Sequence, residues 1–131
     1  MRTLIFGSGS IGCLLGARLQ ASGSAVTFHD DEATLVALRK SGLTLLAREG
    51  SDIHLPGPEI DTEPARLGPG DVVILAVKAH QIQGALDDIE HVLRGGATLL
   101  TLQNGLPWWY FHGSGGRHAG HPLRIVDPDG A

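Results

Sequence analysis

The chain has 131 residues, about one domain, enough to bury roughly two-thirds of its unfolded surface. Its net charge of −4, with acids gathered between Asp52 and Glu90, leaves no basic stripe for nucleic acid, and no run approaches the roughly 18 apolar residues of a membrane span. One cysteine, Cys13, excludes an internal disulfide framework, and the first residues do not read as a signal peptide, so a cytoplasmic protein is expected.

Residues 2–6 form an apolar run that predicts a strand, followed by glycines at 7, 9 and 12 and a helical pattern over about 10–22. Three glycines at this spacing mean little in a chain with 19 of them. Between a strand and a helix they mean more. The first permits a tight turn, the second lets backbone approach a pyrophosphate, and the third lets helix and strand pack closely. The turn Gly7, Ser8, Gly9, Ser10, Ile11 and Gly12 is therefore expected to hold a dinucleotide, its phosphates against the free N–H groups and positive end of the helix. Cys13, in that helix, is read as a packing residue in preference to a reactive thiol.

Ser22 and Gly23 end the first helix, and Ala25–Phe28 make a second strand. Asp30 and Asp31 stand before the pattern Leu35, Val36, Leu38, which predicts an N-capped helix ending near Ser41 and Gly42. Asp30 also lies 18 residues beyond the third glycine, where an acid accepts hydrogen bonds from the adenosine ribose diol and disfavours a 2'-phosphate. Capping and ribose binding are compatible roles for this pair.

Leu43–Arg48 and Ile53–Leu55 read as a hairpin, and residues 56–70 as a Pro/Gly-rich connection. The run 71–77 is continuously apolar after Asp71, as in a parallel strand buried on both faces. Ile82, Leu86, Ile89 and Leu93 then form a one-sided stripe that predicts a single helix from Ala79 to Leu93. Ala97–Leu102 reads as another buried strand running into Gln103-Asn104-Gly105, and Trp108–Phe111 as a short helix.

The order of elements predicts an α/β fold, a Rossmann-like doubly wound and mostly parallel sheet, with its core over about 1–106 and an irregular aromatic, Gly- and His-rich tail over 107–131. Ligands of such sheets lie beyond the carboxyl ends of the strands, so the glycine turn, the segment from Lys78 and the loop at Gln103–Gly105 become one candidate site. Lys78 follows a buried strand and can present an ammonium there; Asn104 offers an amide donor and acceptor, although Asn-Gly is also a favourable turn. Gln103 is read as a support for the loop. His112, His118 and His121 match no common zinc spacing, and no metal is expected.

GSGSIG at 7–12, the LxxSG-type helix ending at 38–42, DVVILAVKAHQ at 71–81 and TLQNG at 101–105 together resemble the ketopantoate reductase (2-dehydropantoate 2-reductase) family, and PWWYF resembles a subgroup of it. The resemblance implies reduction of a 2-keto acid to a 2-hydroxy acid with NADPH in pantothenate biosynthesis, with Lys78 and Asn104 serving both cofactor and substrate. It also implies a helical C-terminal domain carrying the catalytic lysine and a substrate-binding acid, a domain expected to be absent here, together with the last strand of the sheet near Val126–Ala131. On that expectation the 131 residues have no catalytic residue of their own and no turnover.

The family commonly places an arginine where His29, Asp30 and Asp31 stand, and Arg39 and Lys40 lie two helical turns later. The resemblance argues for NADP(H) and the local charge for NAD(H), about evenly. Two other functions stay open: a different Rossmann hydroxy-acid dehydrogenase, or a non-enzymatic dinucleotide-sensing module. Beyond a small-molecule keto acid, the partner expected is another copy of the chain, through an uncovered sheet edge or the aromatic cluster.

Overall fold

The computed structural model describes residues 1–107 and 109–125. Four parallel strands, β1 (Arg2–Phe6), β2 (Ala25–His29), β5 (Val72–Leu75) and β6 (Thr98–Thr101), form a sheet in the order β2-β1-β5-β6. Helices α1 (Ser10–Ala21) and α2 (Glu32–Ser41) follow β1 and β2, and α3 (Leu86–Leu93) joins β5 to β6. The hairpin β3 (Leu43–Leu45) and β4 (Ile53–Leu55) forms a separate antiparallel pair beside α1. The expected first strand of that hairpin is shorter than the run 43–48, because the Ala47 N–H bonds to the Asp52 carboxylate and closes the turn early.

Side chains alternate across a strand, and the two faces of the sheet build two cores. Leu4 and Phe6 of β1 join Val73 and Leu75 of β5 against Ile89 and Val92 of α3. On the other face Ile5 and Ile74 join Phe28 of β2 against Leu35 and Leu38 of α2. Helices therefore cover both faces, as the doubly wound reading requires. At the amino ends of the strands, Asp71 accepts the Arg2 N–H at 2.7 Å and its guanidinium at 2.6 Å, tying the start of β1 to the turn before β5. The outer edge of β2 is bridged by Glu59–Asp61: Phe28 donates to the Glu59 carbonyl and accepts from the Asp61 N–H.

Three expectations are corrected. The segment 79–93 is not one helix but two 3₁₀ turns, Ala79–Gln81 and Gln83–Ala85, followed by α3. Gln81 bonds back to both the N–H and the carbonyl of Lys78, which tightens the chain at its start, and Gly84 carries little helix propensity. The strand β6 is paired on one side with β5 yet exposed along all four residues, with Leu99 and Leu100 at 38% and 47% exposure, so among the described residues it is an edge strand and not a buried one. Residues 109–113 form turns in place of the expected helix, closed by Tyr110 N–H to Pro107 O and His112 N–H to Trp109 O; Trp108 and the Val126–Ala131 end lie outside the described residues. No helix among the described residues is long and apolar enough to cross a membrane.

Candidate nucleotide site

The parallel register aligns the last residues of all four strands, His29, Phe6, Leu75 and Thr101, in one row. The ladder continues one step beyond it through Gly7 N–H to His29 O, Ala76 N–H to Phe6 O and Leu102 N–H to Leu75 O. Everything that follows each strand is thereby delivered to one rim. Asp30 stands beyond β2, the glycine turn beyond β1, Lys78 beyond β5, and Gln103 and Asn104 beyond β6.

The glycines have separate steric reasons. Gly7 has φ +102°, and a Cβ there would lie 2.7 Å from the Val77 backbone nitrogen, so the turn is pressed against the end of the β5 segment. A Cβ on Gly12 would strike the Gly7 carbonyl oxygen and approach Ile5 at 3.0 Å, so this residue lets the turn close. Gly16, which sequence reasoning missed, does the closest helix-to-strand packing: a Cβ there would meet the buried Phe28 ring. Its signal was another glycine four residues on, one helical turn along the same face. Gly9 differs from all three, because a Cβ there would meet nothing and stand in open space.

That helix start is uncapped. Gly9 is the N-cap of α1, no side chain accepts from the first turn, and no acid stands in it. The first-turn N–H groups and the positive end of the helix face the space in front of Gly9. Cys13 points back into the turn, its thiol donating to the Ser8 carbonyl at 3.0 Å. Burial pushes its pKa up and the Asp30 charge adds to the shift, the opposite of what a reactive thiolate needs.

His29, Asp30 and Asp31 divide their work. The His29 ring is buried, tilted against Phe6 at 4.5 Å, and its Nδ1 lies 2.7 Å from the Asp61 carbonyl; a carbonyl only accepts, so Nδ1 carries the hydrogen. Asp31 caps α2, accepting the Thr34 N–H and hydroxyl at 2.9 Å, bonds that hold its carboxyl below the usual aspartate range. Asp30 turns toward the glycines: its Oδ2 accepts the Ser8 N–H and the Ser8 hydroxyl, and its Oδ1 accepts the Asp31 N–H. Asp30 thus accepts three hydrogen bonds from the glycine turn and the start of α2, and it is half-buried at the end of β2.

On the far side, Lys78 is exposed and its backbone is held by Gln81. Asn104 is also exposed and follows β6, the strand paired with β5. Gln103 does more than fill the loop, since its Nε2 donates to Leu75 O at 3.1 Å and Val77 O at 2.9 Å. Among the described residues no group of His, Cys, Asp and Glu side chains is arranged to hold a metal; His118 stacks on Phe111 and accepts from Arg117. A concavity of about 200 Å³ lies elsewhere, between Arg2, Thr3 and Thr27 and the 59–67 segment, near the amino ends of the strands and away from this rim.

A doubly wound parallel sheet with a glycine turn after its first strand, and polar groups gathered at its carboxyl edge, defines a Rossmann-like α/β domain. Residues 3–107 match the family model "Ketopantoate reductase PanE/ApbA", and the chain belongs to that family. It is 40% identical, over its full length, to a 2-dehydropantoate 2-reductase of Mesorhizobium japonicum, and spans 40% of that relative's length. A second 2-dehydropantoate 2-reductase, from Halobacterium salinarum, is 33% identical over 81% of this chain and 35% of its own. A crystal structure assigned to a ketopantoate reductase of Ralstonia solanacearum MolK2 superposes with a TM-score of 0.82 at 38% identity, covering 98% of this chain and 39% of that one. D-mandelate dehydrogenase, solved in a ternary structure with NADH and anilino(oxo)acetate, is similar at TM-score 0.64 and 29% identity, over 80% of this chain and 34% of its own. The chain thus spans about two-fifths of the length of its most similar relatives named here.

Proposed function

We propose that this chain supplies the nucleotide-binding part of an NAD(P)H-dependent oxidoreductase that reduces a 2-keto acid, 2-dehydropantoate being the substrate named for its relatives. The observation that carries this reading is the common rim: one strand register delivers Asp30, the glycine turn, Lys78 and Asn104 to the same edge. The donor set suits a dinucleotide. A pyrophosphate fits the open space at Gly9 against the uncapped start of α1. The adenosine ribose then falls over β2, beside the Asp30 carboxylate, and the nicotinamide over β5 and β6.

When bound, the nicotinamide supplies the hydride for the keto carbon. The Lys78 ammonium attracts the substrate's carboxylate, and the Asn104 amide orients its carbonyl or the nicotinamide ribose. The family resemblance assigns the proton donor to a helical domain outside these residues. The 131 residues alone are therefore expected to bind cofactor without turnover. Oxidation of NADH or NADPH by this chain that depends on added 2-dehydropantoate would contradict that expectation.

The cofactor we infer is NAD(H). A carboxylate fixed at the ribose position repels a 2'-phosphate, and Arg39 and Lys40 sit in the last turn of α2, remote from its start at Asp31. The NADH of the similar D-mandelate dehydrogenase structure agrees with this, whereas the family resemblance supports NADP(H). Calorimetry with both cofactors decides between them. That same similarity favours one second reading, a dehydrogenase for a different 2-hydroxy acid on the same rim. Calorimetric titration of the NADH-loaded chain with 2-dehydropantoate and with an aryl 2-keto acid separates the two.

A further inference from the structure

Gln103 stands where two loops of the rim meet, and its amide has only one workable orientation. Both neighbours of Nε2, the carbonyls of Leu75 and Val77, are acceptors, so the NH₂ group must face them. The consequence is a buried Oε1 with no hydrogen-bond partner among the described residues. Such an atom carries a desolvation cost. A side chain that only filled this space would do so without stranding an oxygen.

What the two bonds accomplish is geometric. Leu75 O also receives the Leu102 N–H, so β5 and the end of β6 are joined there twice. Val77 O, two residues beyond the last strand residue of β5, is tied to the residue directly before Asn104. Val77 N in turn lies against Gly7. Lys78, the next residue, has its N–H and carbonyl both bonded to Gln81. Its backbone is therefore fixed from both sides, by Gln81 after it and by Gln103 before it.

We propose that Gln103 is a positioning residue for the nicotinamide end of the site: by holding Leu75 and Val77 it sets the spacing between Lys78 and Asn104. It does not touch the Asp30–Ser8 end, which holds the adenosine half. The inference rests on the reading of this rim as a dinucleotide site, and it assigns a direction to any defect. Loss of the clamp weakens what is bound over β5 and β6 and spares what is bound over β1 and β2.

The test uses NADH and ADP-ribose, which lacks the nicotinamide, in calorimetric titrations of the wild-type chain, Gln103→Leu and Gln103→Glu, with Tm measured for each. The wild type is expected to bind both ligands. Gln103→Leu is expected to weaken NADH about tenfold and to leave ADP-ribose within about twofold. Gln103→Glu places an ionised carboxylate against two carbonyls, and only its protonated form can donate to one of them. Its NADH affinity is therefore expected to rise toward the wild-type value as pH falls, while its ADP-ribose affinity follows the wild type. Should Gln103→Leu fail to fold, the pH dependence of Gln103→Glu decides alone. Equal weakening of both ligands, no weakening of either, or an NADH affinity in Gln103→Glu that tracks the wild type at every pH overturns the positioning role. A wild-type chain that binds neither ligand overturns the dinucleotide reading itself, and the positioning role with it.

Discussion

Ser8 and Asp30 are joined twice: the backbone N–H and the hydroxyl of Ser8 both end on Oδ2 of Asp30, at 2.5 and 2.8 Å. The second residue of the glycine turn thereby fixes the carboxylate at the end of β2. On the proposed binding mode, Asp30→Ser removes both the carboxylate assigned to the ribose diol and the charge that would repel a 2'-phosphate. NAD(H) binding is expected to weaken about ten- to a hundredfold and NADP(H) binding to strengthen, measured by calorimetry. Ser8→Ala, which keeps the backbone bond and the charge, is expected to have a smaller effect in the same direction. Equal binding of the two cofactors, unchanged in Asp30→Ser, would refute the ribose-acid argument.

Gly16→Ala places a methyl group against the buried ring of Phe28, which has no solvent-facing direction in which to yield. Overpacking of this kind costs about 1–3 kcal/mol, a fall in Tm on the order of 4–10 °C for a domain of this size. Thermal unfolding followed by circular dichroism measures it. The paired variant Gly16→Ala/Phe28→Leu is expected to regain part of the loss; no recovery would locate the strain elsewhere.

Arg2 holds the Asp71 carboxyl down to about 2, through its guanidinium first and its backbone N–H second, with a further bond from Gly68. Because the folded value lies below the ordinary aspartate value, the stabilisation is present above about pH 4 and is lost as pH falls toward 2. Asp71→Asn is expected to lower Tm at neutral pH and to flatten its decline across that acid window; Arg2→Met, which keeps the two backbone bonds, is expected to do so in part. An acid limb unchanged in Asp71→Asn would show that other carboxylates control it.

The parts of the molecule legible in the sequence are those whose signals are local. A glycine with φ of +102° after an apolar strand, and an aspartate three residues before the threonine it caps, each need only a few neighbours to be read. The stripe at Ile82, Leu86, Ile89 and Leu93 misled because its first member, Ile82, keeps helical spacing where the chain instead makes 3₁₀ turns, the first held by Lys78 and Gln81, while the other three lie in α3. The apolar run of β6 encodes a face suited to burial, but whether that face is covered depends on groups outside the run. Gln103 was readable only as a loop support, since its partners lie 26 and 28 residues earlier and meet it through the register of β5 with β6. Gly16 likewise needed the position of Phe28.

Gly9 permits the most direct measurement of the central claim, because it separates binding from folding. Its backbone is extended (φ −71°, ψ −172°) and a Cβ there meets nothing, so Gly9→Ala is expected to fold with an unchanged Tm. The same methyl group would occupy the space assigned to the pyrophosphate. Calorimetric titration of NADH is predicted to give saturable binding of one cofactor to the wild-type chain and loss of that binding in Gly9→Ala at equal thermal stability. A wild type that does not bind, or a folded Gly9→Ala that binds as tightly as the wild type, would contradict the account.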